Sequence, residues 1–157
     1  MQVTPQELPP LGILFDSDLG NGIEDVLALS LLYGAQGRED VSTVVASISL
    51  TTPSVSAAAY CEALNRFISA VANRKIPERF RRENVGTIGL AEQGPGPSET
   101  PVLAKVLAEK NEAGEALYPT EVQRIIDTAD PAALVRNAMT AFDDQNTIVV
   151  LTGPATN

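Results

Sequence analysis

The most informative absence in this sequence is histidine, of which there is none among 157 residues. Without an imidazole, the chain by itself cannot form the catalytic dyads or the zinc sites that depend on histidine. Cysteine is nearly absent as well: Cys61 is alone, so no disulfide within the chain is possible. A single cysteine is compatible with a reducing compartment. Because Cys61 lies in an alanine-rich helical stretch, we predict that it is a small core residue.

Basic residues are also scarce, with 11 Lys and Arg against 20 Asp and Glu, which gives a formal net charge of −9. Non-specific nucleic-acid binding needs a basic surface, so the composition argues against nucleic acid as a partner. No apolar run is long enough to cross a bilayer, and the first five residues lack the pattern of a signal peptide. We therefore expect a cytoplasmic protein of one domain's size with no membrane partner.

Apolar strand patterns alternate with helical patterns along most of the chain. Residues 1–10 are predicted to be an extended lead-in, and residues 11–157 the domain. Strands are predicted at 11–15, 41–50, 85–90 and 147–151, and helices at 23–35, 55–72, 101–109 and 131–142. Ser54 and Asp130 are predicted N-caps, the latter followed by Pro131 at the first helical position. The alternation predicts an α/β fold with a parallel, Rossmann-like sheet and flanking helices.

Four carboxylates lie close together around the end of the first predicted strand: Asp16, Asp18, Glu24 and Asp25. Like charges at such spacing repel one another, and a fold that gathers them usually supplies a cation such as Ca²⁺, which prefers oxygen ligands. One carboxylate before a helix would more simply be an N-cap, but four together favour a site. The carboxyl end of a strand is also where open α/β sheets bind their ligands.

These residues resemble the amino-terminal signature of the inosine/uridine-preferring nucleoside hydrolases. In that family an Asp-x-Asp and a short glycine-containing loop precede a paired acidic dipeptide and an Ala-Leu-rich helix, as residues 16–29 do. Residues 148–157 resemble a second family segment, a strand followed by Thr-Gly-Pro-x-Thr-Asn. The two motifs occur in the family's order. The resemblance stops about halfway through the family's fold, so we expect an incomplete nucleoside hydrolase fold and a truncated chain.

The resemblance implies Ca²⁺-dependent hydrolysis of the N-glycosidic bond of ribonucleosides to free base and ribose, as in purine or pyrimidine salvage. Asp18 would be the catalytic residue, acting as a metal ligand and as the base that deprotonates the attacking water. Asp25 and the backbone carbonyl of Thr152 would be further metal ligands. Glu24 and Ser47 would bind the ribose, and Asp16 and Asn21 would support the loop. Glu24 stands where the family has Asp, and Ser47 where it has Asn.

Other classes of function remain open at this point. The family's remaining groups, another metal-binding Asp and an adjacent His, are not in this sequence, so we expect little turnover from these 157 residues alone. Residues 15–18 also resemble the first motif of haloacid-dehalogenase-type phosphatases, with Asp16 as nucleophile and Asp18 as acid/base. A third possibility is a non-catalytic remnant that acts as an interaction module. An uncovered apolar face is expected in an incomplete fold, and it would favour a homo-oligomer or another association.

Overall fold

The protein is described from a computed structural model, which covers residues 11–35, 43–71, 88–94, 99–141 and 144–157. The predicted lead-in at residues 1–10 lies outside these ranges. Four strands form an all-parallel sheet in the order β3-β2-β1-β4. They are β1 (Leu11–Ser17), β2 (Thr43–Leu50), β3 (Ile88–Leu90) and β4 (Thr147–Leu151). The flanking helices are α1 (Ile23–Ala35), α2 (Val55–Val71), α3 (Pro101–Leu107) and α4 (Pro131–Ala141), with a 3₁₀ turn at Ile125–Asp127. The predicted parallel α/β fold is confirmed.

Strand β1 is the centre of the described core. Every residue of β1 after Leu11 is buried, as expected for a parallel strand that is covered on both faces. Phe15 packs in one cluster with Leu29 of α1 and Ile48 of β2. Cys61 of α2 is fully buried in the same cluster, so its predicted role as a core residue is confirmed.

Two helices begin at the residues that the sequence predicts. The hydroxyl of Ser54 accepts a hydrogen bond from the amide of Ala57 at 3.3 Å, which caps α2. Asp130 Oδ1 accepts a hydrogen bond from the amide of Ala133 at 2.7 Å, and Pro131 is the first residue of α4. Both predicted N-caps are therefore confirmed.

The predicted ends of some other elements differ from the structure. Strand β1 continues two residues beyond the predicted end at Phe15, because Asp16 and Ser17 still pair with β2. Helix α3 ends at Leu107 rather than at Glu109. The predicted element ends at 41–42, 72, 85–87 and 142 lie outside the described ranges. The extension of β1 matters most, since it places Asp16 within the strand and only Asp18 in the loop.

The order of the strands creates a crevice beside β1. Strands β2 and β3 lie on one side of β1 and β4 lies on the other, so the chain changes direction across the sheet at β1. Loops that leave the carboxyl ends of strands at such a switch point diverge, and open α/β sheets bind ligands between them. Asp16 in β1 pairs with Leu151, the last residue of β4. The loop that carries Asp18 and the segment 152–157 therefore leave the sheet side by side.

Candidate functional site

A tight turn holds Asp18 at the start of the loop after β1. The amide of Asn21 donates a hydrogen bond to the carbonyl of Asp18 at 3.2 Å, and its side chain donates to Asp18 Oδ2 at 2.8 Å. Gly20 occupies the third position of this turn with φ of +104°, a conformation that favours glycine. Asn21 thus ties down one oxygen of the half-buried Asp18 carboxylate.

Asp25 lies in the first turn of α1 with only 1% of its surface exposed. Burial raises the pKa of its carboxyl group because the charged form loses its water, and the charges of Asp18 and Glu24 raise this pKa further. The hydroxyl groups of Thr152 and Ser17 are close enough to oppose the shift. Nevertheless, within the described part of the chain, neither Asp25 Oδ1 nor Ser17 Oγ has a partner at good hydrogen-bonding geometry. Asp25 therefore carries a buried oxygen whose charge nothing nearby fully compensates.

The segment after β4 approaches both of these aspartates. The amide of Thr152 donates a hydrogen bond to the carbonyl of Asp16 at 2.9 Å, which continues the pairing of β1 with β4. The next residue, Gly153, packs directly on Asp18: a Cβ at Gly153 would lie 2.6 Å from the backbone nitrogen of Asp18 and 3.1 Å from Asp18 Oδ1. Only glycine permits so close an approach. The structure thus brings Asp18, Asp25 and Thr152 together at the crevice, although Thr152 is far from the two aspartates in sequence.

A second polar cluster lies beside the first and contains residues to which the sequence analysis gave no role. Asn157 Nδ2 donates to Asp16 Oδ1 at 2.9 Å and to Ser49 Oγ at 2.7 Å. Asp16 and Ser49 are paired residues of adjacent strands and are both buried. The sequence could have indicated Ser49 by its position, one residue before the end of β2 and next to the acidic end of β1. Asn157 belongs to the terminal motif but was assigned no function.

The two predicted ribose-binding residues are placed less centrally. Ser47 pairs with Leu14 in the interior of the sheet, after a shift of register between Ile13 and Leu14; its side chain lies outside the described part of the structure. Glu24 is exposed, and its carboxylate lies over Gly22 in the space that a Cβ would fill. The ribose contacts of both residues therefore stay predictions.

Ca²⁺ would find a partial set of ligands at this site. Within the described ranges, no group of three or more Asp, Glu or Cys side chains is placed to hold a metal ion. However, Ca²⁺ takes six to eight oxygen ligands that include carbonyls and waters as well as carboxylates. The uncompensated oxygen of Asp25, with Asp18 and Thr152 nearby, is the kind of group that a cation satisfies. The residues fit part of a Ca²⁺ shell that water and a ligand would complete.

A cleft of about 590 Å³ lies beside Asn157 at the carboxyl end of β3. One wall is mainly apolar and includes Ile125, Ile126 and Pro131, while Gln93, Glu92 and Asp130 provide polar groups. This volume falls within the range of roughly 300–1,000 Å³ that is usual for small-molecule sites. Because Asn157 contacts both Asp16 and this cleft, the cleft is continuous with the polar cluster.

Comparisons of the chain with protein-family models, with curated proteins and with solved structures give no match. The relation to the nucleoside hydrolases therefore rests on the two sequence motifs and stays a prediction. Among the described helices, none is both long enough and apolar enough to cross a membrane.

Proposed function

We propose that this chain carries the amino-terminal part of a nucleoside hydrolase site, which cleaves the N-glycosidic bond of a ribonucleoside with the help of Ca²⁺. The observation that carries the proposal is the meeting of Asp18, Asp25 and Thr152 at the crevice between β1 and β4. These are the three residues to which the motifs assign the cation. The buried oxygen of Asp25, which lacks a good partner, adds support from the chemistry of the site.

Each residue has a specific task in this reaction. Ca²⁺, when bound, would supply positive charge that holds a water molecule and the ribose diol. Asp18 accepts the proton of the attacking water, and the hydrogen bond from Asn21 to Asp18 Oδ2 fixes the direction of the carboxylate. Cleavage develops positive charge on the sugar, which the carboxylates of Asp18 and Asp25 favour over the neutral substrate. Glu24, exposed at the start of α1, is available to the ribose hydroxyl groups.

The cleft beside Asn157 suits the remainder of a nucleoside. Its apolar wall at residues 125–131 offers a surface for a flat heterocycle, and its polar groups offer partners for ring nitrogens and exocyclic groups. Its carboxylates, Glu92 and Asp130, disfavour a phosphorylated ligand because like charges repel. A neutral nucleoside is thus a better match than a nucleotide.

The function can be tested with the chain and Ca²⁺ by following the hydrolysis of inosine, uridine and p-nitrophenyl riboside. The parent chain should turn these substrates over slowly, because the family's His and further Asp are not among these residues, so the assay needs a high chain concentration and a long incubation. We expect Asp18→Asn to remove nearly all turnover, by at least about 10²-fold, while the melting temperature changes little. Glu112→Gln is the matched control, because it also neutralises an exposed carboxylate, on a loop remote in sequence from the site. Calorimetry of Ca²⁺ binding should show loss of affinity only in the Asp18 variant.

The phosphatase alternative makes the opposite prediction for the same assays. It requires Asp16 as an accessible nucleophile, whereas Asp16 is 6% exposed and its Oδ1 accepts a hydrogen bond from Asn157. Hydrolysis of p-nitrophenyl phosphate with Mg²⁺, abolished by Asp16→Asn and without turnover of any riboside, would overturn the proposed function. Ca²⁺ binding without turnover of any substrate would instead favour the non-catalytic module.

We also propose a cytoplasmic location and self-association, on separate grounds. The one cysteine is buried, which suits a reducing compartment. Strand β4 is an edge strand of the described sheet, and Ile148, Val149 and Leu151 are each about half exposed. Apolar edge strands of this kind readily pair with another chain.

A further inference from the structure

We propose that Asn157 and Ser49 are positioning residues that hold the segment 152–157 closed over Asp16. By doing so they keep Thr152 beside Asp18 and Asp25. The expected effect on the affinity for Ca²⁺ rests on the proposed function, but the closure of the segment does not. The two parts are therefore tested by separate measurements.

The segment is attached to the same residue of β1 at both of its ends. At its start, the amide of Thr152 donates to the backbone carbonyl of Asp16 at 2.9 Å. At its end, Asn157 Nδ2 donates to the carboxylate of Asp16 at 2.9 Å. The same amide group donates to Ser49 Oγ at 2.7 Å, so the contact spans β1, β2 and the segment after β4. Residues 152–157 thus form a closed loop on Asp16.

The chemistry of the three side chains suits this closure. The Asn157 amide nitrogen carries two hydrogens, one for each acceptor, so its donors are fully used. The acceptors are buried, with 6% of Asp16 and 1% of Ser49 exposed, which shelters the hydrogen bonds from water. Because one acceptor is a carboxylate, that hydrogen bond is stronger than one between neutral groups.

The closure has a consequence for the site because of what lies between its two ends. Gly153 packs on the backbone of Asp18, and the hydroxyl of Thr152, which donates to the Asp16 carbonyl at 3.4 Å, lies near the carboxylate of Asp25. Thr152 itself is exposed, and its two hydrogen bonds both go to the Asp16 carbonyl, from the amide at 2.9 Å and from the hydroxyl at 3.4 Å. Hydrogen bonds to one acceptor at the exposed end of a strand open readily. The second attachment at Asn157 limits this opening, and so keeps Thr152 in place.

Amide hydrogen exchange tests the closure without any ligand. We expect Asn157→Ala to raise the exchange rate of the Thr152 amide about tenfold, and Ser49→Ala to raise it several-fold. Ala155→Ser, an exposed change within the same segment, should leave this rate unaltered. The amides of Phe15 and Ile48, in the core, should exchange as in the parent chain. Unchanged exchange at Thr152, or a uniform rise that includes the core amides, would overturn the proposal.

Calorimetry with Ca²⁺ tests the positioning. We expect Asn157→Ala to lower the affinity for Ca²⁺ about tenfold and Ala155→Ser to have no effect. If Thr152 exchanges faster in the Asn157 variant but Ca²⁺ binds as before, the contact closes the loop without positioning the site, and the inference is wrong. If the parent chain does not bind Ca²⁺ at all, the proposed function loses its cation, whereas hydrogen exchange still decides whether the closure exists.

Discussion

Replacing Glu62 with glutamine should destabilise the fold strongly, because its carboxylate is buried among donors from a distant part of the chain. Glu62 is 1% exposed, and its Oε2 accepts hydrogen bonds from Thr120 Oγ1 at 2.6 Å and from the amides of Glu121 and Val122 at 2.7 and 3.1 Å. Its Oε1 pairs with Arg66, one turn further along α2. A single side chain thus ties the segment at 120–122 to α2.

The size of the effect follows from these four contacts. A hydrogen bond to a charged group contributes about 1.5–3 kcal/mol, against about 0.5–1.5 kcal/mol for one between neutral groups. Three weakened hydrogen bonds therefore lose roughly 3 kcal/mol, and the loss of the pairing with Arg66 adds to this. Because 38% of the Arg66 side chain is exposed, this addition should be smaller than the about 3–5 kcal/mol that is lost when a fully buried ion pair is broken. Such a loss is a large part of the roughly 5–15 kcal/mol of a typical domain.

Urea unfolding followed by circular dichroism measures this loss, and Glu121→Gln is its matched control. Glu121 pairs with the same Arg66 at 2.8 Å, but 66% of its side chain is exposed. An exposed pair contributes about 0–1 kcal/mol, so the control should differ little from the parent chain. In thermal unfolding, the Glu62 variant should melt on the order of 10 °C lower. Equal stabilities of the two variants would refute the reasoning, since burial would then make no difference.

Three further predictions concern the site and the sheet edge. Asp25→Asn should stabilise the chain in EDTA at pH 7. Because folding raises the pKa of Asp25, the parent chain has its full stability below the ordinary pKa of 3.8 and loses stability as the pH rises through the pKa of the folded state. Urea unfolding should therefore show a gain from the substitution at pH 7 and none below pH 3.8, whereas added Ca²⁺ should favour the parent chain. Gly153→Ala should cost about 1–3 kcal/mol of unfolding free energy, since its Cβ would lie 2.6 Å from the Asp18 nitrogen; an unchanged urea midpoint would contradict the close packing. Light scattering should show concentration-dependent association that Ile148→Lys weakens. Val102→Lys, at an apolar and more exposed position on α3, should not weaken it. A monomer at every concentration would exclude association through β4.

Several features of the site could be predicted because they depend on neighbours in sequence. The turn that holds Asp18 is built by Asn21, three residues later, and needs a glycine between them. The caps at Ser54 and Asp130 likewise bond amides three residues further on. The crevice at the carboxyl end of β1 followed from the alternation of strands and helices, since parallel strands align their carboxyl ends at one edge.

Other features depended on partners that the sequence does not reveal. Asn157 is 141 positions from Asp16 and 108 from Ser49, and nothing local to any of them predicts the contact. Ser49 rather than Ile48 lies opposite Asp16 because the register shifts by one residue within the pairing of β1 with β2. A register is a property of two strands together, so neither strand's sequence determines it alone.

The sequence by itself determined the α/β class, the two N-caps, the buried Cys61 and the acidic loop, because hydrophobic periodicity and capping act over a few residues. Only the tertiary structure decided which carboxylates are buried. Asp25 and Glu62 both lie on helices, and each has one buried oxygen without a hydrogen bond of good geometry among the described residues. However, Glu62 pairs with Arg66 and accepts three hydrogen bonds from the segment at 120–122, whereas the charges near Asp25 are those of Asp18 and Glu24. The energy of a buried charge depends on the groups that packing brings around it, and those groups come from other parts of the chain.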